Sequence, residues 1–169
     1  MNCRILLTGF QGTSSEALLS TAHAYDTLLL PNDKKLDGEL LTDQLLRGPY
    51  DFVICLGQKP NMKDKIHIES TARRNGFTIQ TKVDIPKLAR LFGEQGIPAR
   101  QSNHAGTSFC NALYFNGLRF VEEHECSIGV VFVHIPFLKN MSCPGSFAKR
   151  FWNVIDQLKL KGVDDLWIK

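Results

Sequence analysis

Short apolar runs alternate along the chain with segments whose apolar residues recur at helical spacing. The runs over 4–8, 51–57 and 128–135 are almost continuously apolar, which is typical of strands buried on both faces. The segment over 144–161 instead has apolar residues at intervals of three and four, as an amphipathic helix does. The repeated order of strand, helix and strand predicts an α/β fold: a single-domain three-layer α/β/α sandwich over residues 1–169, with a largely parallel (mixed) central sheet.

Caps and turn residues set the other element boundaries. Ser14 or Ser15 is expected to cap a first helix, and Asp84 followed by Pro86 to open a later one. A short edge strand over 65–69 is expected to return through an Asn75-Gly76 turn. The remaining elements are helices over 14–24, 37–47 and 84–96, a helix that begins after Thr107, and strands over 27–30, 77–81 and 98–102.

Composition excludes several classes of protein. Apolar and charged fractions of 43% and 22% are those of an ordinary globular protein, and the net charge of +3 is not concentrated in a basic run, so no nucleic-acid partner is expected. No apolar run could cross a bilayer and no secretory signal is visible, so the expected location is cytoplasmic, with no membrane partner. Five cysteines without a Cys-x-x-Cys pair fit a reducing compartment, and no metal site is expected.

The segment over 102–115 carries the first candidate for chemistry. Small and polar residues give way there to spaced apolar ones, with Thr107 as the expected N-cap, so Cys110 falls in the first turn of a helix. Free backbone N–H groups and the helix dipole favour a thiolate at that position, and the thiolate is the nucleophilic form. The alternative is that Cys110 is a small core residue, as most cysteines in apolar helices are.

A second candidate follows the most apolar run of the chain. His134 ends that run just before Pro136, which places it at the carboxyl end of a buried strand, where open α/β sheets carry their sites. A structural histidine is the alternative. Because one helix joins Cys110 to this strand, the thiol and the imidazole could face each other as a Cys-His couple.

Cys110 and His134 belong to a set of short motifs distributed along most of the chain. The motifs are Leu7-Thr8-Gly9-Phe10, Ile54-Cys55-Leu56-Gly57-Gln58, Ile68-Glu69, Gly96-Ile97-Pro98-Ala99, Ser102 with Ala105-Gly106-Thr107-x-x-Cys110-Asn111, and Val133-His134-Ile135-Pro136. In content and order this set resembles the pyroglutamyl-peptidase I (pyrrolidone-carboxylate peptidase) family of cysteine peptidases. The most specific part is the block around Cys110 followed by a strand that ends in His-hydrophobic-Pro.

The resemblance implies removal of an N-terminal pyroglutamyl residue from peptides by a Cys-His-Glu triad of Cys110, His134 and Glu69. His134 would exchange protons with the thiol and the departing amine, Glu69 would orient the imidazole, and backbone N–H groups near Cys110 would bind the oxyanion of a reaction that passes through an acyl-enzyme. No metal or organic cofactor is needed. Without the resemblance, Glu69 is interpreted as an exposed carboxylate at a strand end.

Recognition of the lactam is also implied by the resemblance. Phe10 would pack on the five-membered ring and Gln58 would lie beside its amide, the alternatives being a core phenylalanine and a solvated loop glutamine. Family members commonly form dimers or tetramers, so a homo-oligomer is possible.

The chain departs from the family around the expected pocket. The loop over 11–15 lacks the family's second pocket aromatic, and the aromatic two residues before the cysteine has moved to Phe109, where a helix should point it elsewhere. Lys59 to Met62 replaces a Gly-Gly-Arg-like run, and the segment over 70–81 is short and basic. The sequence therefore predicts a retained triad in a rebuilt pocket. The alternatives are a non-catalytic module that binds a lactam or blocked peptide terminus, and a phosphate or nucleotide binder using the loop over 12–15.

Overall fold

The computed structural model describes residues 3–168, which form eight strands and five α-helices. Two 3₁₀ turns, Leu138–Asn140 and Asp164–Leu166, complete the secondary structure of this part of the chain. The strands are β1 (Ile5–Phe10), β2 (Asp26–Leu30), β3 (Phe52–Lys59), β4 (Ile66–Glu69), β5 (Thr71–Arg74), β6 (Phe77–Gln80), β7 (Ala99–Ser102) and β8 (Gly129–Pro136). The helices are α1 (Ser14–Leu19), α2 (Lys34–Arg47), α3 (Ile85–Glu94), α4 (Phe109–Glu123) and α5 (Pro144–Lys161).

Six strands form one mixed sheet in the order β2-β1-β3-β8-β4-β7. β2, β1, β3 and β8 are parallel to one another, whereas β4 is antiparallel to β8 and parallel to β7. The predicted fold class, an α/β protein with a largely parallel mixed sheet between helices, is confirmed. Because β1, β3 and β8 run the same way, their carboxyl ends lie along one edge, where a site is expected.

Each face of the sheet supports its own apolar cluster. Residues of α1, α3 and α5 pack on one face, and residues of α2 and α4 pack on the other together with the hairpin of β5 and β6. β8 is buried along its whole length, which explains its continuous apolar run. Among the described residues, no helix is long and apolar enough to span a membrane.

Side-chain caps mark the starts of α1, α2 and α3. Asp84 caps α3 by accepting a hydrogen bond from the Lys87 N–H, as the sequence predicts. Asp33 caps α2, which therefore begins at Lys34 rather than at residue 37. α1 ends at Leu19, five residues before the predicted end, and its cap is Thr13 rather than Ser14 or Ser15.

The prediction for β4 was wrong. The strand lies inside the sheet, between β8 and β7, rather than at the edge. The hairpin through Asn75 and Gly76 exists, but its first arm is β5, which pairs with β6 in a separate two-stranded sheet. The alternation of apolar and polar residues identified the strands and could not identify their partners, because pairing depends on residues distant in the sequence.

Candidate active site

Cys110 is the second residue of α4, in the first turn as predicted. The N-cap is Ser108 rather than Thr107, and its side chain makes no capping hydrogen bond. The sulfur lies against β3 at Gly57, where an added Cβ would be 2.7 Å from Cys110 Sγ and 2.8 Å from the ring of Phe132. A side chain at position 57 would therefore displace the thiol, and the missing Cβ allows the helix to start this close to the sheet.

His134 is buried on β8 and is the direct neighbour of Gly57 in the parallel register of β3 and β8. Neighbours in register point to the same face, and adjacent strands are about 4.8 Å apart. The imidazole and the Cys110 sulfur therefore share one face at the carboxyl ends of these strands. Within residues 3–168 no hydrogen bond joins Sγ to the imidazole, as is common for catalytic contacts before substrate binds.

Glu69 joins the same cluster from β4. Its Oε1 accepts a hydrogen bond of 2.7 Å from the His134 Nδ1–H, and its Oε2 accepts one of 3.1 Å from the backbone N–H of His104. The Tyr114 hydroxyl donates to the Glu69 backbone oxygen at 2.8 Å. The carboxylate is fully buried, so its interpretation as an exposed strand-end group was wrong. With Nδ1 as the donor, His134 Nε2 is the nitrogen available to accept a proton.

Lys59 is a member of the cluster that sequence reasoning noted only as part of an altered loop. Its Nζ is 3.5 Å from Glu69 Oε1 and donates to the His104 backbone oxygen at 3.3 Å. The side chain is 26% exposed, so its charge is partly shielded from water. Lys59 thus connects the end of β3 to the carboxylate and to the segment that precedes Cys110.

The charges of this cluster determine its resting protonation. Burial alone would raise the pKa of Glu69, but hydrogen bonds from His134 and Ser102 and the positive charges of His134 and Lys59 lower it to about 2. Burial raises the pKa of Cys110 to about 12, an effect that Glu69 adds to and that the helix backbone and Lys59 oppose. The helix N-terminus therefore does not by itself produce a thiolate, and a base must take the thiol proton.

Phe10 and Phe109 form an aromatic pair beside the helix start. Their ring centroids are 6.5 Å apart, with Phe10 3% exposed and Phe109 36% exposed. The expectation that Phe109 points elsewhere does not hold, because α4 begins at Phe109 and its first residue faces the end of β1. Sequence reasoning dismissed Phe109 from helical spacing alone, and contact with β1 is a tertiary feature.

Gln58 is directed toward α1. Its Oε1 accepts hydrogen bonds from the Ser14 N–H at 2.9 Å and from the Ser14 hydroxyl at 3.3 Å. Gln58 is therefore held at the end of β3 rather than solvated in a loop, and its side chain remains half-buried.

The loop between β1 and α1 is not available to an anion. The Gly12 N–H donates to Glu16 Oε2, the Ser14 N–H to Gln58, and the Ser15 N–H to Thr13 Oγ1. Because these donors are already occupied, the loop does not support the phosphate-binding hypothesis. Among residues 3–168 no group of three His, Cys, Asp or Glu side chains is arranged to hold a metal ion.

Comparison with known proteins follows this geometry. A family model described as "Pyroglutamyl peptidase" matches residues 60–144, about half of the chain. The matched range contains Glu69, Cys110 and His134, whereas Phe10 and Gln58 lie before it. A pyrrolidone-carboxylate peptidase of Streptococcus pneumoniae (strain 70585) is 25% identical, over 80% of this chain and 78% of the relative. One from Bacillus cereus (strain 03BB102) is 31% identical, over 52% of this chain and 51% of the relative.

Solved structures agree in fold. The pyrrolidone carboxyl peptidase of Fervidobacterium islandicum AW-1 superposes with a TM-score of 0.80 at 23% identity, over 94% of this chain and 99% of that one. The pyrrolidone carboxyl peptidase of Thermococcus litoralis gives 0.78 at 20% identity, over all of both chains. The family model covers the segment that carries the thiol, the imidazole and the carboxylate, and the chain therefore belongs to the pyroglutamyl peptidase family of cysteine peptidases.

Proposed function

We propose that this protein removes an N-terminal pyroglutamyl residue from peptides, with Cys110 as nucleophile, His134 as general base and acid, and Glu69 as the residue that orients the imidazole. The observation that carries the proposal is the buried Glu69–His134 hydrogen bond of 2.7 Å, made beside the glycine against which the Cys110 sulfur packs. The family membership supplies the reaction class.

The first half of the reaction forms an acyl-enzyme. His134 Nε2 takes the thiol proton as the sulfur attacks the pyroglutamyl carbonyl carbon, which gives a tetrahedral oxyanion. Backbone N–H groups in the first turn of α4, where the N-cap side chain makes no capping hydrogen bond, are the donors assigned to that oxygen. The C–N bond then breaks, the imidazolium gives its proton to the leaving amine, and a thioester to Cys110 remains.

The second half regenerates the thiol. His134 takes a proton from water as the hydroxide attacks the thioester carbonyl, and the C–S bond breaks with return of the proton to sulfur. Pyroglutamate is released as the free acid. Glu69 stays ionised throughout, since its low pKa and its donors favour the carboxylate, and it stabilises the imidazolium formed in both halves.

Recognition of the lactam is assigned to the residues around the helix start. Phe10 and Phe109 offer an aromatic surface for the apolar edge of the five-membered ring. Gln58 Oε1 accepts a hydrogen bond from the Ser14 N–H. The amide N–H₂ group of Gln58 can therefore donate to the lactam carbonyl. Pairing of the lactam is needed because an unpaired polar group in a closed pocket is costly.

A second candidate is a relative that binds a lactam or blocked peptide terminus without cleaving it. The half-buried thiol, with its pKa raised to about 12 and with no hydrogen bond to the imidazole in the described chain, favours this candidate. It predicts stabilisation by pyroglutamate with no turnover.

The two candidates are separated by turnover of a pyroglutamyl amide with a fluorogenic leaving group. We expect release by the wild-type protein and by Cys143→Ala, whose cysteine is exposed and outside the cluster, and loss of at least about 10³-fold in Cys110→Ala. A pyroglutamyl chloromethyl ketone should add once, at Cys110, by mass spectrometry of the digest. Full turnover in Cys110→Ala would refute the proposal, and binding without any turnover would select the second candidate.

A further inference from the structure

A cleft lies between α2, the hairpin of β5 and β6, and the amino-terminal part of α4, on the side of α4 that faces away from the sheet. Its volume is about 1030 Å³. One wall is the amino-terminal half of α2, a second is the turn between β5 and β6, and the third is the segment over 104–108 together with the first turns of α4. Ser108 and Asn111, which flank Cys110 in the sequence, line it. The cleft therefore begins within about 6 Å of the Cys110 backbone.

Three cations on this cleft are held by neutral groups. Lys34 Nζ donates to the Thr107 backbone oxygen at 3.4 Å, and Arg73 Nη1 donates to the Asn103 backbone oxygen at 2.8 Å. Arg74 donates to a backbone oxygen of α4 and stacks over an aromatic ring. Among residues 3–168 none of the three forms an ion pair with a carboxylate, so these contacts fix the cations in place without neutralising them.

The two acidic residues that line the cleft follow Lys34 along α2, away from the contact between Lys34 and Thr107. Glu39 lies more than one helical turn after Lys34 on α2. Its Oε1 is 3.9 Å from the Nζ of Lys35, a fourth cation at the cleft. Asp43 is one turn further still. At the other wall, α4 has no acidic residue in its first turn, so the positive end of the helix is not compensated there. The end of the cleft next to Cys110 thus has a positive potential.

We infer that this cleft binds carboxylate groups of the peptide that leaves, so that the protein prefers substrates with acidic residues after the pyroglutamyl residue. The inference rests on the proposed function and names its substrate class. Lys34 contacts the backbone of Thr107, three residues before Cys110, and the Arg73 backbone contacts the side chain of Asn111, one residue after it. Because an extended peptide advances about 3.3 Å per residue, the second to fourth residues beyond the scissile bond are long enough to reach these two cations. Charge complementarity over such a distance acts mainly on capture of the substrate.

The test compares peptide amides that differ only in charge. pGlu-Ala-Glu-Glu-amide, pGlu-Ala-Gln-Gln-amide and pGlu-Ala-Lys-Lys-amide are cleaved by the wild-type protein at low salt, and kcat/KM is measured for each. We expect kcat/KM for the acidic peptide to exceed that for the neutral peptide by about threefold to tenfold, and kcat/KM for the basic peptide to be the lowest of the three. The advantage should shrink as ionic strength rises from about 0.01 M to 0.3 M, because the charges are exposed. A free-acid form of the neutral peptide separates the contribution of a terminal carboxylate from that of acidic side chains.

The variants are compared by the ratio of kcat/KM for the acidic peptide to kcat/KM for the neutral peptide. A loss of activity that affects both peptides equally, such as one caused by a disturbed loop, cancels in that ratio. Lys34→Gln and Arg73→Gln should each bring the ratio toward one, whereas Lys149→Gln, at an exposed lysine on α5 at the opposite face of the sheet, should leave it unchanged. Equal rates for the three peptides, or a ratio unaffected by both cleft variants, would overturn the inference while the proposed activity stands. Absence of cleavage of every peptide and of the fluorogenic amide would instead overturn the proposed function.

Discussion

Gly57 and His134 are direct neighbours on β3 and β8, and the Cys110 sulfur packs against the bare backbone of Gly57. This relationship brings the thiol onto the same face as the imidazole. It depends on the absence of a single carbon atom, because a Cβ at position 57 would be 2.7 Å from Sγ. Gly57 has no reactive side chain, yet its missing Cβ determines where the Cys110 sulfur lies.

Gly57→Ala should abolish most activity while the fold persists. The new methyl group would push the sulfur off β3 and meet the ring of Phe132 at 2.8 Å, so we expect a loss of about 10²-fold or more in kcat/KM, since small displacements of reacting groups are costly. Gly93→Ala is the matched control, since a Cβ at that helical position meets nothing within 4 Å. Wild-type activity in Gly57→Ala would show that the thiol does not need this contact.

Glu69→Gln should lower kcat by about 10²-fold to 10⁴-fold with a small change in KM, because the amide keeps the shape of the side chain and loses the charge that stabilises the imidazolium. The fluorogenic amide provides the assay, and a cooperative thermal transition shows that the variant is folded. A variant with unchanged kcat would remove Glu69 from the mechanism.

The same variant should change how stability depends on pH. The pKa of Glu69 is about 2 in the folded protein and 4.5 in a free side chain, so its stabilisation is complete above pH 4.5 and is lost as pH falls toward 2. The difference in unfolding free energy between the wild-type protein and Glu69→Gln should be on the order of 3 kcal/mol near pH 6 and should shrink through that window. Chemical unfolding at several pH values measures it, and a difference that grows on acidification would contradict the assignment.

Lys59→Met should reduce the stability that the protein loses on acidification. The ammonium group at 3.5 Å is one of the groups that lower the pKa of Glu69, so its removal should bring that pKa back toward the ordinary value of 4.5 and narrow the pH window in which stability is lost. Chemical unfolding at several pH values between about 6 and 2 measures the effect. Lys59→Arg keeps the charge, and Lys63→Met removes an exposed lysine from the loop after β3, so both should follow the wild-type protein. An unchanged loss of stability in Lys59→Met would count against this role.

Phe109→Ala should weaken binding of the pyroglutamyl ring. Loss of the exposed half of the aromatic pair removes apolar contact area from the ring, so KM should rise about fivefold to twentyfold with a smaller effect on kcat. Phe77→Ala is the control, because Phe77 is 72% exposed on β6 and makes no aromatic contact among the described residues. An equal effect of the two variants would show that Phe109 does not contact the substrate.

Local pattern was enough to predict most elements of this protein. The boundaries of α5 were predicted to the residue, and the positions of Cys110 in the first turn of α4 and of His134 near the end of β8 were also correct. Apolar periodicity and prolines indicate these features, and both act over a few residues. Glu69 was identified as a candidate site residue only through the family motifs, because no local pattern in the sequence indicated it.

The sequence by itself thus determined the α/β class, the strand and helix that present the imidazole and the thiol, and the family. Only the tertiary structure decided that β4 runs antiparallel beside β8, which brings Glu69 to His134 from 65 residues away. It also decided that Lys59 reaches that carboxylate, that Phe109 meets Phe10, and that burial outweighs the helix dipole at Cys110. These features depend on strand pairing and on desolvation, which arise between segments far apart in the chain.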